Sequence, residues 1–356
     1  MGVFAVRVLV TGATGYVGRA VVSALRTRGH EPVALVRTPG ARVADAAEIR
    51  VADLLDGSAL RRALAGGDRP RAADPDGSAT VGSDTAGSAD GDGGTIRTGA
   101  TSEAAPRIDA VCHLAALARA RESFLDPLRC FAVNTTGTLT LLEAMSAAGV
   151  RGLVFASTGS VYGSPGTQPM TEDLPVAPPH PYAASKFAAE LAVAAQCRTG
   201  ALGAIVLRML NVAGGDDPDP TRLVPRAVAA AAGEGVLTVN GDGCAVRDYL
   251  HPADAAEAFV AAVERLPEPG RVRTYNIGSG VGRSVTEIVA AVEAVAGRPV
   301  PVAHRAPADE PRTLVCDPSA ARRELGWWPH RSDIETIVRD AWAAHTPPPT
   351  GAASDY

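Results

Sequence analysis

The sequence predicts an α/β fold, a doubly wound parallel sheet followed by a smaller C-terminal α/β domain. Short runs rich in Val, Ile and Leu alternate with alanine-rich helical segments along most of the 356 residues. This alternation is typical of β-α-β units with parallel strands. A glycine-rich turn stands directly after the first strand, and the chain, at 46% hydrophobic residues, is long enough to bury a large core.

Composition excludes several classes of protein. The net charge is −5 and no basic run occurs, so neither nucleic acid nor a membrane is expected as a partner. The sequence contains no run of 18 apolar residues, so no membrane span is predicted. Its start is predicted to be a strand rather than a signal peptide, so we expect a cytoplasmic protein. The five cysteines are odd in number and far apart, which predicts buried thiols and no metal site.

The turn at residues 11–18 has the composition of a phosphate-binding loop. It follows the strand Val6 to Val10 and precedes an amphipathic helix predicted from Arg19 to Arg28. The three glycines permit a tight turn, a close approach of a pyrophosphate, and close packing of helix on strand. Amide groups at the helix N-terminus then face the phosphates of a dinucleotide. The residues assigned to this loop are Gly12, Gly15, Tyr16, Val17 and Gly18.

The ends of the next two strands bear on the choice of cofactor. An acidic residue after the second strand would bond the adenosine ribose and favour NAD, whereas an arginine favours the 2′-phosphate of NADP. The strand Pro32 to Val36 is followed by Arg37, which makes NADP possible. A third strand, predicted at 51–54, places Asp53 and Leu54 beside the adenine.

A buried strand beginning at Ile108 ends in small residues. Small side chains at this place allow a cofactor to lie against the backbone, so Leu114, Ala115 and Ala116 are assigned to the cofactor site. His113 is expected to be a packed strand residue rather than a base.

The segment 180–190 carries the residues best suited to acid–base chemistry. Tyr182 and Lys186 are four residues apart in an alanine-rich helix, so they lie on one face. Lys186 is the only lysine in the chain. Because a nearby ammonium and a cationic nicotinamide ring together favour the phenolate and lower the phenol pKa from about 10, we predict an ionised Tyr182 that acts as a base. Thr158, at the end of another strand, would share the substrate hydroxyl.

Together these motifs resemble those of the extended short-chain dehydrogenase/reductases, and most of all those of the UDP-glucose 4-epimerases. The resemblance covers nearly the whole chain apart from residues 66–106. It implies a Rossmann-like fold, a homodimer, and a bound NAD that Asn134, Ser157 and Lys186 also contact. For the nucleotide-sugar substrate, the resemblance implies contacts from Thr158, Asn211, Leu223, Arg247, Arg305 and Asp309.

The activity implied by the resemblance is 4-epimerisation of a nucleotide-linked hexose through a transient 4-keto sugar. Two alternatives remain open: an NADPH-dependent 4-ketoreductase, which Arg37 favours, and a UDP-hexuronate 4-epimerase. The chain departs from the family pattern at Arg222, where an asparagine is usual. Gly159 and Ser160 replace the Asp-Glu pair of the related dehydratases, which argues against dehydration.

We expect three regions along the chain. Residues 1–210 form the dinucleotide-binding domain, residues 211–345 the substrate domain, and residues 346–356 a flexible tail. Residues 66–106 are rich in Gly, Asp, Ser, Ala and Thr and cannot bury enough apolar surface to order themselves, so they are predicted to be a disordered insertion.

Overall fold

The computed structural model describes residues 5–65, 107–308 and 310–345. The predicted insertion at 66–106, Asp309 and the predicted tail lie outside the described residues. The strands are β1 (Arg7–Thr11), β2 (Glu31–Val36), β3 (Glu48–Val51), β4 (Ala110–His113), β5 (Gly152–Thr158), β6 (Gly203–Met209), β7 (Asn211–Val212), β8 (Leu237–Asn240), β9 (Val246–Leu250), β10 (Val272–Ile277), β11 (Gly282–Ser284), β12 (Val302–Arg305) and β13 (Thr313–Leu314). The helices are α1 (Tyr16–Thr27), α2 (Gly57–Ala65), α3 (Pro127–Phe131), α4 (Gly137–Ala148), α5 (Pro181–Arg198), α6 (Leu223–Ala232), α7 (Pro252–Val263), α8 (Val285–Ala296), α9 (Ser319–Leu325) and α10 (Ile334–His345).

A seven-stranded parallel sheet forms the centre of the fold, in the order β10-β6-β5-β4-β1-β2-β3. The chain leaves β1 toward β2 and β3, then returns to β4 on the other side of β1. Ligands bind at such a reversal, outside the carboxyl ends of the strands. The doubly wound fold class predicted from the sequence is therefore confirmed.

Helices cover both faces of this sheet, which explains why its strands are apolar almost without interruption. On one face, Val21 of α1 and Phe259 of α7 are fully buried against the sheet. On the other, Leu60 of α2, Leu141 of α4 and Val193 of α5 are equally buried. Burying a side chain of this size contributes about 1.5–3 kcal/mol, so the two layers hold the strand ends in fixed positions.

A second body contains the smaller sheets and has its own core. There β8 pairs with β12, while β9 pairs with β7, β11 and β13. Helices α6, α8 and α10 contribute Val228, Ile288 and Ile337, respectively, to this core. The predicted single domain boundary at residue 210 differs from the structure, because two later elements return to the main sheet. Helix α7 packs on this sheet, and β10 forms its edge beside β6. Among the described residues, no helix is long and apolar enough to cross a membrane.

One predicted strand differs from the structure. The third strand ends at Val51, so Asp53 and Leu54 follow it rather than belong to it. One helical segment is irregular, because a wide π-helical turn, Ala132–Thr136, lies between α3 and α4. Within that turn the Asn134 side chain is buried and bonds a neighbouring loop, an interaction that helical periodicity does not reveal.

The close packing of α1 against the first turn gives a stability test. A Cβ atom at Gly18 would lie 2.0 Å from the carbonyl oxygen of Gly12, and neither backbone can yield easily. We expect Gly18→Ala to lower the free energy of unfolding by about 1–3 kcal/mol, the usual cost of overpacking. Urea unfolding measures this, with Gly166→Ala as the matched control, because a Cβ atom there meets nothing within 4 Å. Equal unfolding midpoints for the two variants would contradict the argument.

Candidate active site

A cavity of about 1220 Å³ opens at the carboxyl edge of the main sheet, between the two bodies. The ends of β1, β2, β4, β5 and β6 all contribute to its wall, as expected where the strand order reverses. Ligand pockets commonly enclose about 300–1,000 Å³, so this one has room for a dinucleotide and a second ligand together.

The glycine-rich turn forms one side of this cavity and is joined to the loop after β4. Gly12 has a φ of +70°, and a Cβ atom on it would lie 2.7 Å from the backbone nitrogen of Ala115. The hydroxyl of Thr11 accepts hydrogen bonds of 3.1 Å from the amides of Leu114 and Ala115. These contacts bring the two predicted cofactor-binding segments side by side.

The start of α1 fits a pyrophosphate group. Gly15 is the N-cap, and no side chain caps the first turn, so its amide groups have no side-chain acceptor among the described residues. Uncapped amides at a helix N-terminus bind phosphate readily. Tyr16 lines the same cavity, but its hydroxyl donates a hydrogen bond to the carbonyl of Gly214 and so joins α1 to the second body.

Arg37, Asp53 and Leu54 line the far end of the cavity. Arg37 is exposed and has no ion-pair partner among the described residues, so it is accessible to a ligand. Asp53 accepts a hydrogen bond from the amide of Leu55 (2.9 Å), which fixes its carboxylate at the rim. Leu54 is buried against Gly137.

Asn134 does not line the cavity. It is 1% exposed, and its side-chain oxygen accepts a hydrogen bond of 2.7 Å from the amide of Leu117. Its amide nitrogen donates to the Leu117 carbonyl (3.0 Å) and to the Ser185 hydroxyl (2.9 Å). The structure therefore gives Asn134 a positioning role between the loop after β4 and α5, and its contact with the cofactor stays a prediction.

The predicted catalytic residues meet at the centre of the cavity wall. Thr158 ends β5, and Tyr182 lies in the first turn of α5, after Pro181. His180 caps this helix, since its Nδ1 accepts a hydrogen bond of 3.1 Å from the amide of Ala183. Thr158 lies close enough to the Tyr182 phenol to lower its pKa. The pair is therefore held by two elements of regular structure.

Lys186 lies one turn further along α5 and is 2% exposed. Its Nζ atom is 4.1 Å from the centroid of the Phe155 ring, a cation–π contact. Burial lowers the pKa of Lys186 to about 7, while the negative charge of Glu190 opposes this change. This ammonium therefore holds its proton only weakly at neutral pH.

In the protein chain alone, Lys186 does not lower the pKa of Tyr182; the predicted ionisation, which also depends on a cationic nicotinamide ring, stays a prediction. Burial raises the pKa of Tyr182 to about 12, and the neighbouring Thr158 only partly offsets this. The charged groups that act on this pKa are Cys130, which raises it, and Arg222, which lowers it; Lys186 is not among them. Both side chains lose water on burial, and desolvation favours the neutral form of each.

A buried polar network supports this site, and sequence reasoning missed it. Glu190 accepts a hydrogen bond from the Ser157 hydroxyl and pairs with Arg208 (2.7 Å). Arg208 also donates to the Tyr162 hydroxyl (2.9 Å), which donates to Asn276 (2.7 Å). The available signals were a glutamate four residues after Lys186 in an apolar helix and an arginine within the apolar strand β6.

The other predicted cofactor residues have clear places. Val17 and Gly18 line the cavity, as do Ala116 and Ser157. His113 is buried, with Nδ1 2.7 Å from the Thr11 hydroxyl and Nε2 3.0 Å from the Thr138 hydroxyl. Burial lowers the pKa of His113 to about 3. The prediction that it is a packed, neutral strand residue is confirmed.

The predicted substrate residues line the part of the cavity formed by the second body. The four described there are Asn211, Leu223, Arg247 and Arg305. Arg247 forms an ion pair of 2.8 Å with Glu310, and Arg305 donates to the side chain of Asn240. Sequence reasoning did not select Arg226 or Glu310, which line the same region, or Arg121, which lines the cavity from the segment after β4.

The single lysine makes the electrostatic argument measurable. Replacing Glu190 by Gln removes the negative charge that opposes desolvation, so we expect the pKa of Lys186 to fall further below 7. NMR titration of protein labelled with 13Cε-lysine reports this group alone. Glu257→Gln on α7 is the control, since the side chain of that glutamate is 45% exposed and pairs with Arg28. An unchanged titration midpoint in Glu190→Gln would show that Glu190 does not maintain the charge.

Comparison with known proteins gives a consistent result. The model of the NAD dependent epimerase/dehydratase family matches residues 8–72 and 92–278. A UDP-glucose 4-epimerase of Corynebacterium glutamicum is 40% identical over 250 residues, 66% of this chain and 75% of the relative. One of Streptomyces lividans is 40% identical over 258 residues, 68% and 77% of the two chains.

Solved structures agree with this result. A UDP-glucose-4-epimerase from Stenotrophomonas maltophila, with bound NAD and formylated UDP-arabinopyranose, superposes with a TM-score of 0.79 at 30% identity, covering 96% of this chain and 98% of that one. A UDP-glucose 4-epimerase from Brucella ovis in complex with NAD gives 0.78 at 32% identity, covering 95% and 98%. This chain belongs to the NAD dependent epimerase/dehydratase family.

Proposed function

We propose that this protein is a nucleotide-sugar 4-epimerase of the UDP-glucose/UDP-galactose type that keeps NAD bound. One observation carries the proposal: a Thr158–Tyr182 pair and a buried Lys186 lie between a phosphate-binding helix start and a wall of arginines, in one cavity. The relatives from Corynebacterium and Streptomyces are UDP-glucose 4-epimerases, and both solved neighbours hold NAD.

The chain offers a complete set of contacts for a dinucleotide. The free amides at the start of α1 would bind the pyrophosphate, and Asp53 and Arg37 lie where the adenosine end would be held. Lys186 would bond the nicotinamide ribose. NAD bound there would supply the acceptor and donor of the hydride and, in its oxidised form, a positive charge.

Proton transfer falls to Tyr182 and Thr158. A phenol with a pKa of about 12 is protonated at neutral pH, so it acts as a base only when positive charge enters its surroundings. Tyr182 then removes the proton of the sugar 4-hydroxyl, with the Thr158 hydroxyl holding the oxygen, and later returns that proton. The ionisation of Tyr182 is thus coupled to the binding of a positively charged ligand in the site.

The second body would hold the substrate while its sugar turns over. Arg247 and Arg305 can donate hydrogen bonds to the oxygens of a diphosphate, and the first turn of α6, whose N-cap Arg222 makes no side-chain cap, adds free amides. An anchored diphosphate leaves the 4-keto sugar free to present either face. This is what epimerisation requires, whereas a reductase needs to present only one.

NMR of sugar nucleotides incubated with the protein, with NAD or NADP added, tests the function. We expect 4-epimers to interconvert without net consumption of cofactor. Tyr182→Phe and Lys186→Met should each lower turnover about 10²–10⁴-fold, the usual contribution of acid–base catalysis. Tyr275→Phe is the matched control, because that hydroxyl bonds Glu324 outside the cavity.

Two results would overturn the proposal. Stoichiometric consumption of NADPH on a keto sugar, without interconversion of 4-epimers, would instead identify the ketoreductase that exposed Arg37 favours. Undiminished turnover in Tyr182→Phe or Lys186→Met would remove the assigned mechanism.

We also propose a homodimer that buries the outer face of α5. A helix that is apolar on all sides is normally buried, and the outward residues of α5 include Ala184, Ala188 and Leu191, the last 55% exposed. The neighbouring α3 adds Leu128, which is 82% exposed, and α4 adds Leu139. A second copy of this chain offers the same apolar face, as a two-fold interface requires.

All five cysteines are free thiols, which agrees with a reducing compartment, so we propose a cytoplasmic location.

Sedimentation velocity tests the dimer. Leu191→Asp places a charge at the centre of the proposed interface, so we expect a dimer for the unaltered protein and a monomer for the variant. Val236→Asp, at a similarly exposed position in the second body, should leave the dimer intact. A monomeric unaltered protein would contradict the proposal.

A further inference from the structure

The arginines that line the cavity fall into two groups. Several are neutralised by carboxylates of the chain: Arg119 pairs with Glu122 (2.6 Å), Arg222 with Asp217 (3.2 Å) and Arg247 with Glu310 (2.8 Å). Five others that line it have no acidic partner among the described residues: Arg37, Arg121, Arg129, Arg226 and Arg305. Unpaired cations in a partly enclosed cavity favour an anionic ligand.

Arg226 is held in place without being neutralised. It lies in the first turn of α6 and is half-buried, and its Nη2 atom donates a hydrogen bond of 2.7 Å to the carbonyl of Thr238. An arginine has five N–H donors, and this is the one acceptor that the described residues give its side chain. Its head group is therefore oriented by the chain while most of its donors are left for a ligand.

Arg305 lies beside Arg226. It donates to the side chain of Asn240, and Arg226 donates to the backbone carbonyl of Thr238 two residues earlier, so the strand β8 anchors both arginines. Arg121 comes from the opposite wall, the segment after β4. Burial lowers the pKa of Arg226, and the positive charges of Arg121 and Arg305 lower it further, so the three lie within electrostatic reach of one another.

We propose that Arg121 and Arg226 form a subsite, shared by the two bodies, that binds an anionic oxygen group of the substrate in addition to the Arg247 and Arg305 pair. The inference rests on the proposed function. Arginine binds carboxylate and phosphate oxygens in a bidentate manner, and these are the two groups that a sugar nucleotide offers. The anion is either part of the diphosphate or a carboxylate on the sugar, as in a hexuronate.

Calorimetric binding to the holoprotein distinguishes the two sources. The probes are UDP, UDP-glucose and UDP-glucuronate, and the variants are Arg121→Ala and Arg226→Ala. If the subsite binds the diphosphate, all three probes lose about 10–100-fold in affinity, the usual value of a charged hydrogen bond. If it binds a sugar carboxylate, UDP-glucuronate alone loses affinity, and the substrate class becomes UDP-hexuronates.

Controls separate this inference from the proposed function. Arg323→Ala, on the exposed side of α9, should bind every probe as the unaltered protein does. Arg226→Lys keeps the charge but not the planar fork, so we expect it to recover only part of the affinity. Affinities that change less than about twofold in both alanine variants overturn the subsite, whereas an unaltered protein that binds none of the probes overturns the proposed function itself.

Discussion

The buried ion pair between Glu190 and Arg208 is the interaction on which the geometry of the site depends. Both residues are less than a tenth exposed, and the pair connects α5 to β6 below the cavity. Removing one partner of such a pair typically costs about 3–5 kcal/mol, because the other charge is left buried and uncompensated. The pair holds α5 in the orientation in which Tyr182 and Lys186 line the cavity.

The same network connects chemistry to substrate binding. Ser157, which donates to Glu190, precedes Thr158 on β5, so the hydroxyl that holds the substrate and the helix that bears the base have a common support. Through Tyr162 the network reaches Asn276 on β10. The side-chain amide of Asn276 donates a hydrogen bond to the carbonyl of Met170 (2.9 Å). Buried polar networks of this kind favour one arrangement over others when every member is satisfied.

The opposite pKa shifts of Tyr182 and Lys186 have one cause. Both side chains are removed from water, which raises the pKa of the phenol and lowers that of the ammonium, so both neutral forms gain. The chain alone therefore holds its base in the inactive, protonated form. Such an arrangement ties ionisation of the tyrosine to positive charge arriving with a ligand, and it limits unproductive proton transfer in an empty site.

Local sequence determined the elements and the main motifs of this protein. The strand, glycine turn and helix at its start, the alternation of strands and helices, and the Tyr182–Lys186 spacing all depend on near neighbours in the chain, so periodicity and residue type reveal them. Residues of the predicted site at or just after strand ends, such as Thr158 and Ala115, line one cavity, because the parallel strands end at the same edge of the sheet.

Only the tertiary structure decided what depends on distant residues. The direction of the Tyr182 pKa shift follows from desolvation, which spacing in the sequence does not report. Asn134 supports a loop and a helix because the π-helical turn directs it inward, and Arg208 is buried because Glu190, 18 residues away in sequence, neutralises it. The unpaired state of Arg121 and Arg226 likewise appears only when both walls of the cavity are assembled, since charge balance is a property of space and not of sequence order.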